Sequence, residues 1–498
     1  RRCLEKRPEE RFRTAHDMAI ALDAISTSST RSFSTAALEA EEPAARRRGA
    51  GWIERALLFA AGAAIASGAI LAWSRLVPRE ADGAAVFRWA SFSGRDASPA
   101  VSPDGRTIAF TSDRDGQPRI WLKQVSGEGE APLTSGPDDF PRFSCSDPYL
   151  ERCYDYRLYG LRLNRLGGDA GHVRFPCVAE GIGYFHVPIT YSAQCHMWEM
   201  RWARDPSAAF GSLRNFLAAQ RPDGGFHGRL YSTHLRGTDF YHANWGDAVS
   251  AALAVHPDEG FAREAYAGLA RYGGWLLRTR DPEATGLFDV VDQFETGQEY
   301  MSRYLAVDPD ADRYGWENRI RLAGIDVSVY AHQLFALLER LAARTGHDED
   351  AARWEAARGR TAEAITALCW DDEAGLFMDV APGTRRRTGV KAAVGFYPLL
   401  TGLVTEHQLS RLIAHLADPA TFGTAWPVPS SSIDDPQFNP HAEWKGKRHV
   451  CPWNGRAWPM TTSHVIEGLL RQWHAGRREA GPVAADLLGR YVRMFFDR

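Results

Sequence analysis

The sequence predicts a mainly α protein, an α/α toroid preceded by a short β segment and a single apolar helix, and three observations lead there. From Cys145 onward, clusters of Gly, Pro and Trp separate helix-type stretches at Pro206–Gln220, Phe261–Arg278, Val327–Arg344 and Asp348–Cys369, with no alternating βαβ pattern. Between Ser98 and Ser144, turn residues such as Pro103-Asp104-Gly105 divide short strand-type runs. Ala56 to Trp73 is uncharged and about long enough to cross a hydrocarbon core.

A chain of 498 residues exceeds one ordinary domain, so at least two units are expected. Lys+Arg 59 against Asp+Glu 62 leaves a net charge of -3, with no basic footprint for nucleic acid. Seven cysteines are scattered without the close pairing of a zinc or redox motif, and most read as small core residues. No cofactor motif appears, nor a calcium loop of the regular kind. The 16 Trp and 16 Tyr supply flat faces that fill cores and also stack on sugar rings.

Residues 1–25 alternate apolar and charged residues at helical spacing. The run Cys3-Leu4-Glu5-Lys6-Arg7-Pro8-Glu9-Glu10-Arg11-Phe12 resembles the last helices of a bacterial Ser/Thr protein kinase domain, with Arg11 as its C-lobe anchor. The Gly-rich loop, strand Lys, catalytic-loop Asp and Asn and metal-binding Asp-Phe-Gly are missing, so this is a remnant. Residues 26–55 read as a linker, rich in Ser, Thr, Ala and Glu and carrying Arg46-Arg47-Arg48. Residues 56–73 are then a transmembrane helix, a buried soluble helix or signal anchor being the alternatives. Arg46, Arg47, Arg48 and Arg55 before it, against Arg75 and Arg79 after it, place the N-terminus in the cytoplasm and the remainder outside it, as a single-pass membrane protein. Residues 86–144, with Ser102-Pro103-Asp104-Gly105 and Arg119-Ile120-Trp121, resemble one partial blade of a TolB-like β-propeller. One blade cannot bury both faces, so poor order is expected here.

Three groups of motifs in 145–498 carry a further resemblance. The first is Tyr191-Ser192-Ala193-Gln194-Cys195-His196-Met197-Trp198-Glu199 with Asn215 to Gly224; the second is Tyr272-Gly273-Gly274-Trp275 leading to Asp292-Gln293-Phe294-Glu295-Thr296-Gly297-Gln298-Glu299-Tyr300; the third is Trp370 to Phe377, Gly395 to Leu399, and Trp453-Asn454-Gly455-Arg456-Ala457-Trp458. In order and spacing they resemble the inverting six-hairpin (α/α)6 barrels of the trehalase, processing α-glucosidase and mannosylglycerate-hydrolase superfamily. The resemblance implies a carbohydrate-processing glycoside hydrolase domain acting on an oligosaccharide or other glycoside.

Inverting hydrolysis needs a protonated carboxyl at the leaving oxygen and a carboxylate activating water across the ring, roughly 6.5–9.5 Å apart. The family's Glu-Ser-Gly-x-Asp string is matched by Glu295-Thr296-Gly297-Gln298-Glu299, which implies Glu299 as general acid, one methylene longer than the family's Asp. Tyr300 and Trp198 are the side chains expected to desolvate it and raise its pKa. Asp292, Gln293, Glu295 and Arg303 share its turn and suit hydroxyl recognition or internal hydrogen bonding. Asp326 opens a helix, which suits N-capping first, sugar binding second and an acid role third. Glu199 with Trp198, the cluster Asp239, His242 and Trp245, and the segment Trp453, Asn454 and Trp458 complete the candidate binding set.

The family's base is a Glu in a Glu-x-Tyr-x-Pro string downstream of the Trp-x-Gly-x-x-Trp segment, and no such string follows Trp458. Glu443, Asp434 and Asp435 stand before it, in the wrong order. The expectation is therefore a C-terminally truncated domain with impaired turnover. Two other readings stay open: a membrane-tethered Ser/Thr protein kinase relative with a sensor segment, its catalytic core absent, and a glycan-binding toroid without turnover.

Overall fold

The computed structural model describes residues 96–496, apart from 103–104, 115–118, 126–129, 133–139, 182–184, 236–238, 314–315, 317–318 and 450. The kinase-like stretch 1–25, the linker 26–55 and the apolar span 56–73 lie outside the described residues. Among the described residues, no helix is long and apolar enough to cross a membrane.

Four strands open the described chain as an antiparallel meander: β1 (Asp96–Val101), β2 (Thr107–Ser112), β3 (Arg119–Gln124) and β4 (Glu130–Pro132). Ala109 faces Leu122 and Trp121 faces Pro132 in its register. Phe110 is buried, whereas Val101 and Ile120 stay exposed, so the sheet keeps apolar surface in solvent. The strands expected for a single blade are there; its likeness to a TolB-like propeller rests on the sequence string alone.

Helical hairpins make up most of the remainder. After α1 (Pro148–Leu163) come α2 (Thr190–Met200) with α3 (Ser207–Ala218), α4 (Trp245–Val255) with α5 (Glu259–Thr279), α6 (Ile325–Thr345) with α7 (Asp348–Ala364), the 3-10 stretch Ala393–Leu400 with α8 (Glu406–Ala417), and α9 (Pro459–His474) with α10 (Ala480–Arg493). The first members of these pairs touch one another in that order, which makes them an inner layer. α7 shows the outer pattern, burying a single stripe of Trp354, Ala357, Thr361 and Ala364 at helical spacing. Three of these pairs, α2 with α3, α6 with α7 and α9 with α10, pack directly on each other, while α5 packs on α6 and α3, and α1 packs against α10; the mainly helical expectation is met among the described residues.

Local signals account for many helix ends. Asp147, Asn244 and Asp258 accept hydrogen bonds from the first turns of α1, α4 and α5, and Thr405 with Gln408 forms a reciprocal capping box on α8. Gly246 is required by packing: a Cβ there would lie 2.3 Å from the backbone of Gln333, so α4 and α6 touch backbone to backbone. The stretch expected to be helical through Cys369 leaves α-geometry at Ala364 and ends in one π turn, Ile365–Cys369.

One buried ion cluster ties the layers together at the site end. Arg303, in the one-turn helix Ser302–Leu305, is 0% exposed. Its guanidinium donates Nη1 to Asp326 Oδ2 (2.9 Å) and Nη2 to Asp326 Oδ1 (2.8 Å), and Nε and Nη2 to Asp379 (2.8 and 2.7 Å). Arg303 therefore cannot meet a substrate, contrary to the hydroxyl-recognition role expected for it. Asp326 is also corrected. α6 begins at Ile325, so Asp326 sits inside the first turn, and the N–H of Ile325 is capped by Asp379 Oδ1 (2.9 Å) from the connector between the strands Leu376–Phe377 and Val380–Ala381.

Breaking a buried pair leaves an uncompensated charge, which typically costs about 3–5 kcal/mol. Asp379→Ala should lower the urea midpoint by that equivalent with an unchanged slope. An effect below about 1 kcal/mol would show that Asp326 alone satisfies Arg303.

Candidate active site

The expected acid lies on a turn whose backbone is set residue by residue. Asp292 accepts from Phe294 N (2.9 Å) and starts the 3-10 turn Gln293–Thr296, which Gly297 closes in the left-handed region at φ 65. A Cβ on Gly297 would meet the Tyr191 ring at 2.9 Å, so glycine serves both the turn and the close approach of α2. Tyr300 is also left-handed, at φ 60, and its N–H is held by Gln293 Oε1 at 3.0 Å. Glu299 lies between these two reversals, and its carbonyl accepts from Trp453 N at 3.0 Å.

The Glu299 side chain is shaped as a proton donor. Its Oε2 is buried and meets no hydrogen-bond partner. Burial pushes its pKa up to about 7; its own backbone N–H, Arg229 and the Trp453 indole oppose the rise, and Glu180 adds to it. Its neighbour Glu295 is the reverse case. Burial works to raise it, but Arg280, with help from His242 and Val291 N, holds its carboxylate below the usual range. Two carboxylates four residues apart thus take opposite protonation states near neutral pH. Asp292 lies between them, raised to about 6 by burial against the Phe294 N–H.

The walls come from distant segments. Trp453 and Trp458 stack with centroids 4.2 Å apart at 12°, and Tyr191 meets Trp453 edge-on at 6.5 Å. Arg229 donates to the Tyr241 hydroxyl and lies 3.6 Å from Asp239 Oδ2. His242 donates its backbone N–H to the Glu295 carbonyl at 2.7 Å and keeps Nε2 3.6 Å from the Glu295 carboxylate. Asn454 is a loop clasp, its amide donating to the carbonyls of Gln437 (2.6 Å) and Glu443 (2.8 Å).

Glu299, Asp292, Gln293, Glu295, Asp239, His242, Trp453 and Trp458 therefore belong to one neighbourhood; Arg303, Asp326 and Asn454 are engaged in the internal bonds described above, and the remaining three expected members, Trp245, Trp198 and Glu199, lie elsewhere. Trp245 is 1% exposed in the core against Phe216 and Phe226 and offers no face to a ligand. Trp198 and Glu199 sit two helical turns beyond Tyr191, about 10 Å along α2. They line a separate cavity of about 220 Å3 with Asn244, Asp247, His464 and Glu467. The guanidiniums of Arg201 and Arg471 lie 3.9 and 5.5 Å from the Trp198 ring, and Glu199 is held bidentate by Arg157. Trp198 thus does not desolvate Glu299. Of the carboxylates upstream of Trp453, Asp434 pairs with Lys391, Asp435 accepts from Ser302 and Glu443 accepts from Asn439. The sequence reading missed Glu180, Arg229, Tyr241 and Asp379, none of which belongs to a local string with chemical meaning. Among the described residues, no group of three or more His, Cys, Asp or Glu could hold a metal ion.

The protonation of Glu299 has a consequence for stability. Below the ordinary value of 4.5 the carboxyl is neutral in both folded and unfolded chains. Between 4.5 and about 7 the unfolded chain ionises while the native one keeps its proton, so stability is lost as pH rises through this window. The loss approaches roughly 3 kcal/mol above it. Glu299→Gln should raise Tm at pH 8 and leave it unchanged at pH 4. Equal shifts at both pH values would rule out a protonated native carboxyl.

Residues 187–497 match the family model of the mannosylglycerate hydrolase MGH1-like glycoside hydrolase domain. Trehalase of Oryctolagus cuniculus is 24% identical over 204 residues, 41% of this chain and 32% of its own. Mannosylglycerate hydrolase MGH1 of Selaginella moellendorffii is 25% identical over 274 residues, 45% of this chain and 52% of its own. The chain thus spans about half, or less, of the length of these curated relatives. Among solved structures, GH63 mannosylglycerate hydrolase from Thermus thermophilus in complex with glucose shares the fold at TM-score 0.54 and 18% identity, over 69% of this chain and 91% of that one. A sialidase chain aligns at TM-score 0.57 and 18% identity, over 71% and 30%.

Proposed function

With residues 187–497 placing the chain in the mannosylglycerate hydrolase MGH1-like glycoside hydrolase family, we propose that it hydrolyses the glycosidic bond of a small glycoside, with Glu299 giving its proton to the leaving oxygen. The observation that carries this reading is the buried, unpartnered Oε2 of a carboxyl whose pKa stands at about 7. A carboxyl of ordinary acidity would already be ionised near neutrality and unable to protonate a leaving alkoxide. Tyr191, Trp453 and Trp458 supply the aromatic wall beside it, and a sugar ring seated there would displace the remaining water and keep the proton on Glu299 until the bond breaks. Relatives named as mannosylglycerate hydrolases and trehalase make mannosylglycerate and trehalose the first substrates to try.

Wild-type protein should release free sugar from one of these two, and the initial product anomer, read by proton NMR, should be inverted. Because the acid must be protonated, kcat should fall as pH rises through about 7. Glu299→Gln should lower kcat by roughly 10²–10⁴-fold. Binding of either sugar with no turnover would replace this reading by the glycan-binding one.

The uncharged run 56–73 and the arginines before it support a further part of the proposal, that the chain is tethered to a membrane with the barrel outside the cytoplasm. Full-length protein should then resist alkaline carbonate extraction, and protease added outside the cell should reach the barrel. Release by carbonate would remove the tether.

A further inference from the structure

Beside the acid site lies an open cleft of about 440 Å3, with Thr424, Trp426, Phe438, Arg456, Trp458 and Met494 in its lining. The two adjoin through Trp458, which lines the cleft and stacks on Trp453, the residue whose backbone N–H reaches the Glu299 carbonyl. Trp426 is 44% exposed. Of the other tryptophans exposed among the described residues, Trp202 lies under Arg201 at 4.6 Å and Trp473 packs on His474 at 4.9 Å. The Trp426 ring meets no other ring or cation among the described residues. Its loop is nevertheless tied down: the Trp426 carbonyl accepts from the Thr424 hydroxyl at 2.8 Å, and the Thr424 carbonyl accepts from Arg490 of α10. Arg456 supplies the charge. It is half-buried, and its guanidinium has neither an ion pair nor a hydrogen-bond partner among the described residues. Its backbone is fixed, because its carbonyl accepts from Ser430 N at 3.0 Å and Ala457 bridges Pro429. Gly455, at φ 152, admits the Phe438 ring, which a Cβ there would meet at 2.9 Å. Among the described residues lining the cleft, none is acidic.

We propose that this cleft binds a hexuronate unit of a glycan, its ring against the indoles of Trp426 and Trp458 and its carboxylate on Arg456. Three features select that chemistry. A pyranose presents a C–H face that an indole can cover, and the cleft has the volume of a small-ligand site. The guanidinium fork matches a carboxylate with two parallel hydrogen bonds, a fit that a point charge does not offer. An anion seated there meets no lining carboxylate to repel it and gives a half-buried cation its counter-ion. A sugar is preferred to other anionic rings because Trp458 is shared with the wall beside Glu299, and in this respect the inference rests on the glycoside reading of that site. The cleft holds an acidic glycan next to the acid; it contributes binding and takes no part in proton transfer.

The test measures binding directly on the full chain, by saturation-transfer NMR and titration calorimetry. The probes are digalacturonate, its methyl ester, the neutral counterpart galabiose, and benzoate as an anionic ring that is not a sugar. Wild-type protein is expected to bind digalacturonate roughly tenfold or more tightly than galabiose or the ester, with an affinity that falls as salt rises. Arg456→Gln should abolish that preference and leave galabiose binding unchanged. Arg456→Lys, which keeps the charge without the fork, should bind digalacturonate with intermediate affinity. Trp426→Ala should weaken both sugars; its ring is exposed, so this variant carries the test if Arg456→Gln fails to fold. Equal binding of digalacturonate by wild-type protein and these variants would place the sugar elsewhere. No binding by wild-type protein, or tighter binding of benzoate, would remove the hexuronate. Each of these results overturns the proposal and leaves Glu299 untouched, because the assay reads no turnover. Protein that binds digalacturonate through Arg456 yet hydrolyses no glycoside would uphold the cleft and sink the acid reading alone.

Discussion

The arrangement of this site depends on one buried cation. Arg303 carries a single positive charge between two carboxylates, all three removed from water, and such a cluster is tolerable only when every donor and acceptor is matched. Here the guanidinium fork spends four hydrogen bonds on Asp326 and Asp379, and Asp379 uses Oδ1 a second time to cap α6. The one-turn helix after the acid, the start of an inner helix and a strand near residue 380 are thereby fixed to one point. Burial and the nearby Asp326 both raise the proton affinity of Asp379, while Asp326 is held low by Arg303 against the same burial. The negative charge is thus held most firmly on Asp326, and Asp379 is the partner readier to take up a proton.

On that anchored frame, protonation is sorted by neighbours rather than by residue type. Glu295 has Arg280 and His242 and stays ionised; Glu299, four positions on, faces an apolar wall and another carboxylate and keeps its proton. The backbone reverses between and after the two carboxyls, at left-handed Gly297 and Tyr300, and the strong cation contact of Arg280 falls on Glu295. A site of this design needs no unusual amino acid, only a turn that exposes consecutive carboxyls to unlike surroundings.

Much of the helical framework was legible in the sequence, since Phe261–Arg278 and Val327–Arg344 differ from the observed helices by only one or two residues at each end. Glu299 was legible because its string is local. Partners supplied across the fold were not. Nothing near Asp379 announces a helix cap, because the helix it caps starts more than fifty residues earlier, and the capping rule applied to Asp326 failed by two register positions, the N-cap position being Gly324. Aromatic type was equally silent about place: Trp245 fills the core, Trp198 lies under two guanidiniums, and Trp453 lines the acid, though all three occur in similar polar strings. Side-chain chemistry is written in the sequence, whereas its orientation is decided by tertiary packing.

The hydrogen bond from Trp453 to the Glu299 carbonyl joins positions 154 apart (453 less 299). Contacts of such separation form late, since closing a long loop must precede the gain from the contact. The hairpins themselves assemble from near neighbours, so a chain can acquire its helices before its acid is aimed. Competence would then be the last property to appear during folding and the first to vanish on local opening. Circular dichroism would be a poor proxy for a working molecule.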